Sequence, residues 1–326
     1  MNRPGFSRRN FLSAAGLAAL AVPLAACAAT SSAGGATQGK VRLTYGSISV
    51  PKSRGVMEKT LKDQGITVEW VGPFPNHAPS MQAVVGGSAD FSFGGSSTPA
   101  DQAILSGSDL VYTAWATAKP RTTSILARTG SGIEHVTDLV GHTVAVNKAG
   151  LGEFLLVAAL EKYQVPRDKV KVVYMNPPEA SAAFAAGQID AWSIWQGFLE
   201  FAEVQYGAKP IFVEGDELDF QIDFTSYLVR RDYATNNADT IRAVIKAFQA
   251  EYEWQNQNYA EALKIGNAVS NYPQAVLDKI ASKPVTTTLS LINDDGIAQL
   301  QRGADWLTQR KILSGPIKIA DHSVKL

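Results

Sequence analysis

An eight-residue pattern occurs twice in this chain, 100 positions apart. Ala83, Val84, Val85, Gly86, Gly87, Ser88, Ala89 and Asp90 align with Ala183, Phe184, Ala185, Ala186, Gly187, Gln188, Ile189 and Asp190. Each copy reads as the end of a small-residue helix, a glycine suited to the left-handed position past it, two linking residues, an aspartate and then a strand. The strands are expected at 91–93 and 191–194. Two unrelated turns from helix to strand would share this chemistry, and either origin predicts the same local architecture.

Around these copies, strand and helix patterns alternate. Residues 41–45 read as a strand, 53–64 as a helix closed by Gly65, and 67–71 as a strand, which is the order of an α/β fold. Leu155, Leu156, Ala159, Leu160 and Tyr163 recur at helical spacing and mark one buried stripe, followed by a strand at 170–174. Two further stripes, Ile241 to Tyr252 and Ile297 to Leu307, make the last quarter mostly helical. Helices without intervening strands cannot extend a parallel sheet, so this segment is expected to pack on a lobe already formed.

The only cysteine, Cys27, follows Leu24, Ala25 and Ala26 at the end of a short apolar run that opens with Arg8 and Arg9. A basic start, an apolar stretch and small residues before the cysteine are the zones of a bacterial secretion signal over residues 1–26. Ser7 to Leu12 resemble a twin-arginine export motif. The apolar run is shorter than the roughly 20 residues that span a bilayer. Similarity to bacterial lipoproteins implies that Cys27 becomes the lipidated first residue, which leaves no thiol for disulfides, zinc or nucleophilic catalysis. Removal of 1–26 takes away three arginines and no acid, leaving 27 basic and 30 acidic side chains. With no basic block, nucleic-acid binding is excluded as an expectation. The stretch 27–39, rich in Ala, Ser, Thr and Gly, reads as a flexible tether. The body of about 290 residues beyond it exceeds what one core usually holds, so two lobes are expected.

In an open α/β sheet, ligands lie beyond the carboxyl ends of strands, where loops lead into helix N-termini. After the strand at 91–93 come Gly94, Gly95, Ser96, Ser97, Thr98 and Pro99, with Thr98 expected as N-cap and Pro99 as first helical residue. Free N–H groups and hydroxyls there suit an anion with several acceptor oxygens. A second such turn follows the strand at 143–146: Asn147, Lys148, Ala149, Gly150, Leu151 and Gly152. Its glycines allow close approach of backbone to ligand, Lys148 offers a charge, and the spacing is not that of a nucleotide loop. Aromatic residues gather near the same strand ends: Phe74, Trp115, Trp192 and Trp195, of which Trp195 is the better placed to face a cleft. Phe74 and Asn76 lie in a proline-rich stretch, 73–79, expected to be neither helix nor strand. His77 there is expected at the surface, and His135, His142 and His322 are isolated, so no metal site is expected.

These segments together resemble the substrate-binding lipoproteins of bacterial ABC importers for aliphatic sulfonates, nitrate and taurine. The resemblance covers nearly the whole mature body and rests on Ala89-Asp90-Phe91, Pro99-Ala100 with Gln102-Ala103, Asp138-Leu139 with Gly141, and Gly187 to Asp190 followed by Ala191, Trp192, Ile194 and Trp195. It implies a type II periplasmic-binding fold: two α/β lobes with a ligand cleft between them and a helical C-terminal segment packed on the first. Residues 40–118 and 225–326 would form lobe 1 and 119–224 lobe 2, with hinge passages at Lys119 to Thr122 and Asp219 to Ser226. Closure of such lobes on a ligand is a hinge motion.

The resemblance further implies a monomer that captures a small organic anion, delivers it to an ABC permease, uses no cofactor, and is held at the membrane through Cys27. Ligand contacts are expected from Ser47, Phe74, Asn76, Gly95, Ser96, Ser97, Thr98, Trp115, Lys148, Gly150, Leu151, Gly152, Trp195 and Gln196. Two departures bear on the ligand. Sulfonate binders commonly continue after the residue matching Trp195 with Asp-Pro-Tyr, where this chain has Gln196, Gly197 and Phe198; a common Ser-Ser-x-His turn is replaced by Ala149, Gly150, Leu151 and Gly152. The loss of polar donors points to an alkyl or aryl sulfonate with a larger apolar tail than taurine. Nitrate, a thiamine-precursor-type heterocycle, delivery to a sensor, and a cleft enzyme such as a sulfinate hydrolase are the alternatives. Catalysis in such relatives needs a cleft cysteine or histidine, and no catalytic set is identifiable from spacing.

Overall fold

The structure is a computed structural model that describes residues 39–46 and 49–326; Cys27, Ser47 and the expected signal fall outside the described residues. The chain runs β1 (Lys40–Gly46), α1 (Val50–Arg54), α2 (Val56–Lys62), β2 (Thr67–Phe74), α3 (His77–Val85), β3 (Gly95–Ser96), α4 (Ser97–Leu105) and β4 (Leu110–Lys119). It then crosses to β5 (Ser124–Ala127), β6 (Thr143–Val146), α5 (Leu151–Lys162), β7 (Lys171–Tyr174), α6 (Pro177–Ala185), β8 (Ala191–Ile194), α7 (Phe198–Tyr206), β9 (Lys209–Val213) and α8 (Glu214–Glu217). It returns with β10 (Thr225–Arg230), α9 (Arg231–Asn236), α10 (Ala238–Gln257), α11 (Tyr259–Ser270), α12 (Gln274–Ala281), β11 (Thr286–Leu291) and α13 (Asp294–Gln309). Among the described residues no helix is long and apolar enough to cross a membrane.

Two sheets result, one per lobe. The first has the order β11-β4-β10-β3, with the parallel pair β1-β2 joined to it through bridges from Phe91 to Leu43 and Val229. The second is β7-β6-β8-β5-β9, parallel from β7 to β8 and antiparallel around β5. The first crossing is tied to the start of α8, just before the return, since Glu214 N–H donates to Thr123 O and Gly215 N–H to Arg121 O, both at 2.9 Å.

The repeated pattern builds the same joint in both lobes. Gly87 and Gly187 take φ of +74° and +70°, and Ser88 N–H and Gln188 N–H each reach back 2.9 Å to the carbonyls of Ala83 and Ala183. Each aspartate then accepts a hydrogen bond from the neighbouring strand: Arg42 N–H on Asp90 at 2.8 Å, Thr143 N–H on Asp190 at 3.0 Å. An arginine completes each pair, Arg42 with Asp90 at 2.6 Å and Arg128 with Asp190 at 3.3 Å. The expected strand at 191–194 forms, whereas 91–93 is reduced to a bridge at Phe91. There the Thr44 hydroxyl accepts the Phe93 N–H at 2.6 Å, so a side chain takes the place of the next rung.

Other sequence expectations shift. The helix expected at 53–64 is broken by Gly55, which caps α1 at φ +66°. The stretch 73–79 is structured after all: β2 runs to Phe74, Asn76 caps α3, and Pro79 sits in the helix's first turn, where no N–H is needed. The last quarter is not purely helical, because Thr286, Thr287 and Thr288, β-branched residues suited to a pleated edge, carry β11 along β4.

The C-terminal helices touch both lobes. α12 lies on α7, where the Tyr272 and Phe201 rings are 5.8 Å apart. On α13, Trp306 meets Phe154 of α5 edge-on at 5.5 Å, and Gly296 and Gly303 let the helix approach Trp115 and the Ile222 carbonyl. A Cβ at Gly303 would fall inside contact distance of that carbonyl oxygen. Alanine in a helix interior is favoured over glycine by about 1 kcal/mol, but overpacking costs about 1–3 kcal/mol. Gly303→Ala is therefore expected to lower stability in urea unfolding; a more stable variant would show that α13 is not held against this crossing.

Candidate functional site

A cleft of about 690 Å³ lies between the sheets. From the first lobe it is lined by Phe74, Asn76, Gly95 and Ser96, and from the second by Lys148, Leu151, Trp195 and Gln196. Asn76 Nδ2 donates to Asn176 Oδ1 at 3.1 Å, linking the start of α3 to that of α6. The crossings supply Arg121 and Asp223 to its lining, and the start of α8 supplies Glu214.

Ser97, Thr98 and Trp115 do not line it, and each has a physical reason. The anion at the start of α4 is the protein's own Asp223. Its Oδ1 accepts from Ser96 Oγ at 2.6 Å, Thr98 Oγ1 at 2.8 Å, Thr98 N–H at 3.0 Å and Ser97 Oγ at 3.3 Å. Burial pushes the Asp223 carboxyl up while these hydrogen bonds pull it down. The helix also begins two residues earlier than expected, at Ser97 with Ser96 as N-cap, which leaves Pro99 inside the first turn. Trp115 is buried in β4, edge-on to Phe224 at 5.5 Å and covered by Gly296. Trp192 likewise belongs to the core, against Phe184 and Phe198.

The second turn is organised differently. Asn147 Oδ1 accepts the Gly152 N–H at 2.9 Å, and its side chain fills the space that a Cβ at Gly150 or Gly152 would need. The close approach that these glycines permit is thus to Asn147, and to the Ser193 carbonyl, rather than to the cleft, which neither glycine lines. Glu153, buried, accepts from Ala149 N–H at 2.7 Å, Arg167 at 2.6 Å and Tyr174 at 2.9 Å. Among the described residues the N–H groups of Gly150 and Leu151 have no acceptor, and Lys148 has no ion pair, only the Tyr174 ring at 5.8 Å. α5 therefore presents the unspent Leu151 N–H and the Lys148 cation toward the cleft, while α4 does not.

The lining also includes the aromatic side chains of Phe93, Trp195, Phe198 and Tyr272. Carboxylates are also present. Glu214 is pushed up to about 7 by burial, against the Arg121 guanidinium 3.3 Å away that pulls it down. Two cations, Arg121 and Lys148, thus face Glu179, Glu214 and Asp223 around the cleft. Sequence reasoning placed Asn147 in the second turn and Asp223 in a hinge passage but gave neither a role; only Asn147, five residues before Gly152, was within local reach of the motif.

His77 is buried, not at the surface. Its Nδ1 lies 2.8 Å from the Ser96 carbonyl, which only accepts, so Nδ1 carries the proton, and its Nε2 is buried without a partner. Gly95 is required beneath the ring, since a Cβ there would collide with it.

The family described as NMT1/THI5-like matches residues 45–262, two thirds of the sequence. The chain belongs to the NMT1/THI5-like family. A relative from Bacillus subtilis (strain 168), named for binding aliphatic sulfonates, is 28% identical over 94% of this chain and 92% of its own. The structure of the alkanesulfonate-binding protein of Xanthomonas axonopodis pv. citri, bound to MOPS, superposes with a TM-score of 0.81 at 25% identity, covering 90% of this chain and all of that one. The periplasmic aliphatic sulphonate-binding protein of Escherichia coli follows with 0.76 at 26% identity, covering 89% and 94%.

In this NMT1/THI5-like protein burial lowers the pKa of His77 to about 4, from an ordinary value of 6.5. The unfolded chain then binds more protons than the folded one between those values, so stability falls as pH drops from 6.5 toward 4. His77→Asn is expected to flatten that part of the stability profile in pH-dependent urea unfolding; an unchanged slope would show that the imidazole is not held neutral.

Proposed function

We propose that this chain is an extracytoplasmic solute-binding lipoprotein that captures a small organic monoanion, an alkyl or aryl sulfonate, and delivers it to an ABC permease. The observation that carries this reading is the start of α5, where Lys148 and the unspent N–H of Leu151 line the cleft together with the aromatic side chains of Phe74, Phe93, Trp195 and Phe198. The anionic head lies at α5 and the tail against Phe74, Trp195 and Phe198. Asn76, Gly95, Ser96, Leu151 and Gln196 complete the contacts. Sulfonate binding by the named relatives supports this class of ligand. A cleft of about 690 Å³ is far larger than nitrate requires, and carboxylates on its lining oppose a doubly charged ligand.

A binding role is favoured over catalysis by how the reactive groups are used. The Ser96, Ser97 and Thr98 hydroxyls donate to Asp223, His77 Nδ1 serves the Ser96 carbonyl, and the lone Cys27 belongs to the signal reading. In the mature protein Cys27 carries lipid, 28–39 is a tether, export follows the twin-arginine route, and the monomer hinges where 119–122 and 219–226 join lobe 1 (40–118 and 225–326) to lobe 2 (119–224).

Micromolar capture needs about −8 kcal/mol. Two or three charge-assisted hydrogen bonds at about 1.5–3 kcal/mol each and about 0.8 kcal/mol per buried methylene reach that after binding costs. A sulfonate in excess is expected to raise Tm in a thermal-shift screen of the mature protein against sulfonates, nitrate and heterocycles. Lys148→Ala should weaken the hit by about 10-fold or more, and Trp195→Ala should weaken it as well, while Ser97→Ala should leave affinity within about 3-fold. Unchanged affinity in both Lys148→Ala and Trp195→Ala would remove this site.

A further inference from the structure

The turn that carries Lys148 contains a residue in an unfavourable conformation. Ala149 takes φ of +46°, in the left-handed region, which a non-glycine residue populates roughly 5- to 30-fold less readily than the right-handed one. One contact holds it there: the Ala149 N–H donates to Glu153 Oε2 at 2.7 Å. Gly150 caps α5, so Glu153 is its third helical residue. A glutamate at that position ordinarily reaches back to the N–H of the capping residue; this one reaches one residue further, into the turn itself. Its other oxygen accepts from Arg167 Nη2 at 2.6 Å and from Tyr174 Oη at 2.9 Å. Tyr174 lines the cleft, with the Lys148 ammonium 5.8 Å from the centre of its ring. Glu153 is buried and Lys148 exposed, and the Arg167 ion pair offsets a carboxylate that would otherwise oppose a guest anion at the same helix start.

We propose that Glu153 is a positioning residue for anion capture, fixing Ala149 in the left-handed conformation and through it the placing of Lys148 and the Leu151 N–H. The inference rests on the reading of the start of α5 as the anion site. Glu153 does not line the cleft, so its effect is on the turn and not on the guest. A turn that holds its binding form only part of the time lowers apparent affinity by that fraction. The loss falls on kon, because a guest once bound keeps the same contacts and leaves at the same rate. Glutamine at 153 would have one acceptor oxygen instead of two. The charged Arg167 competes for it more strongly than a backbone N–H does, which turns the amide NH2 toward Ala149, donor against donor.

The test is stopped-flow binding of hexanesulfonate and 2-bromoethanesulfonate to the mature protein, together with amide hydrogen exchange in the ligand-free state. Glu153→Gln is expected to lower kon by about 5-fold or more at unchanged koff and to speed exchange at Ala149. Ala149→Gly in the Glu153→Gln background should return kon to within about 3-fold of wild type, because glycine enters the left-handed region freely. A glutamate that only supported the fold would not be rescued in this way. Should Glu153→Gln fail to fold, the wild type decides: its Ala149 amide must exchange more slowly than that of Leu151, which has no acceptor among the described residues. An unchanged kon, a loss confined to koff, a kon that glycine does not restore, or an Ala149 amide as fast as Leu151 would overturn the positioning role and leave the cleft reading standing. No binding of either sulfonate by the wild type would overturn the sulfonate reading itself, and this role with it.

Discussion

The carboxylate of Asp223 at the start of α4 is the contact on which the arrangement of the cleft depends. It comes from the returning crossing, more than 120 residues along the chain, and takes up the hydroxyls of Ser96 and Thr98 together with the Thr98 N–H. A buried carboxylate is tolerated only where hydrogen bonds replace its lost hydration, and the positive end of a helix adds to them. The same contact ties the crossing to the first lobe and removes that helix start from ligand chemistry. The two lobes are therefore unequal: one helix start is filled by the protein, and at the other, at α5, the Leu151 N–H and Lys148 have no acceptor or ion pair among the described residues.

The contacts between the lobes differ in kind from place to place. Asn76 to Asn176 is a single exposed hydrogen bond, a contact worth about 1 kcal/mol. Around the crossings the apolar packing is deep: Phe154, Ile222 and Phe224 belong to a buried cluster that runs through both lobes, and Trp306 of α13 lies partly buried against it, edge-on to Phe154. Weak polar contacts at one side and continuous apolar packing at the other are what a hinge requires, because separation then exposes little hydrophobic surface. The contact of α12 with α7 is the exception, and it joins the C-terminal helices to the half of the cleft that carries Trp195.

The parts of this structure that the sequence reveals are those set by neighbours along the chain. The paired turns ending in Asp90 and Asp190 are legible because glycine, linker and aspartate sit within one short stretch. The helical stripe of α5 is legible for the same reason, although the helix is buried on nearly every side, so its stripe does not mark one face. The serines and threonine of α4 are visible as donors, but the acceptor that consumes them is visible only once the return crossing is in place. Gly150 and Gly152 signal a close approach without saying to what, and the answer is the side chain of Asn147. β11 is hidden because a run of threonines among helices has strand character only beside β4.

The central claim is that a guest anion goes to α5 because α4 already holds one. The most direct measurement is a crystal structure of the mature protein with 2-bromoethanesulfonate, in which bromine anomalous scattering fixes the tail and the sulfonate density fixes the head. The account predicts the sulfonate oxygens within hydrogen-bond distance of Lys148 and the Leu151 N–H, with bromine toward Trp195. A sulfonate seated at Ser96 to Thr98, with Asp223 displaced, would contradict it.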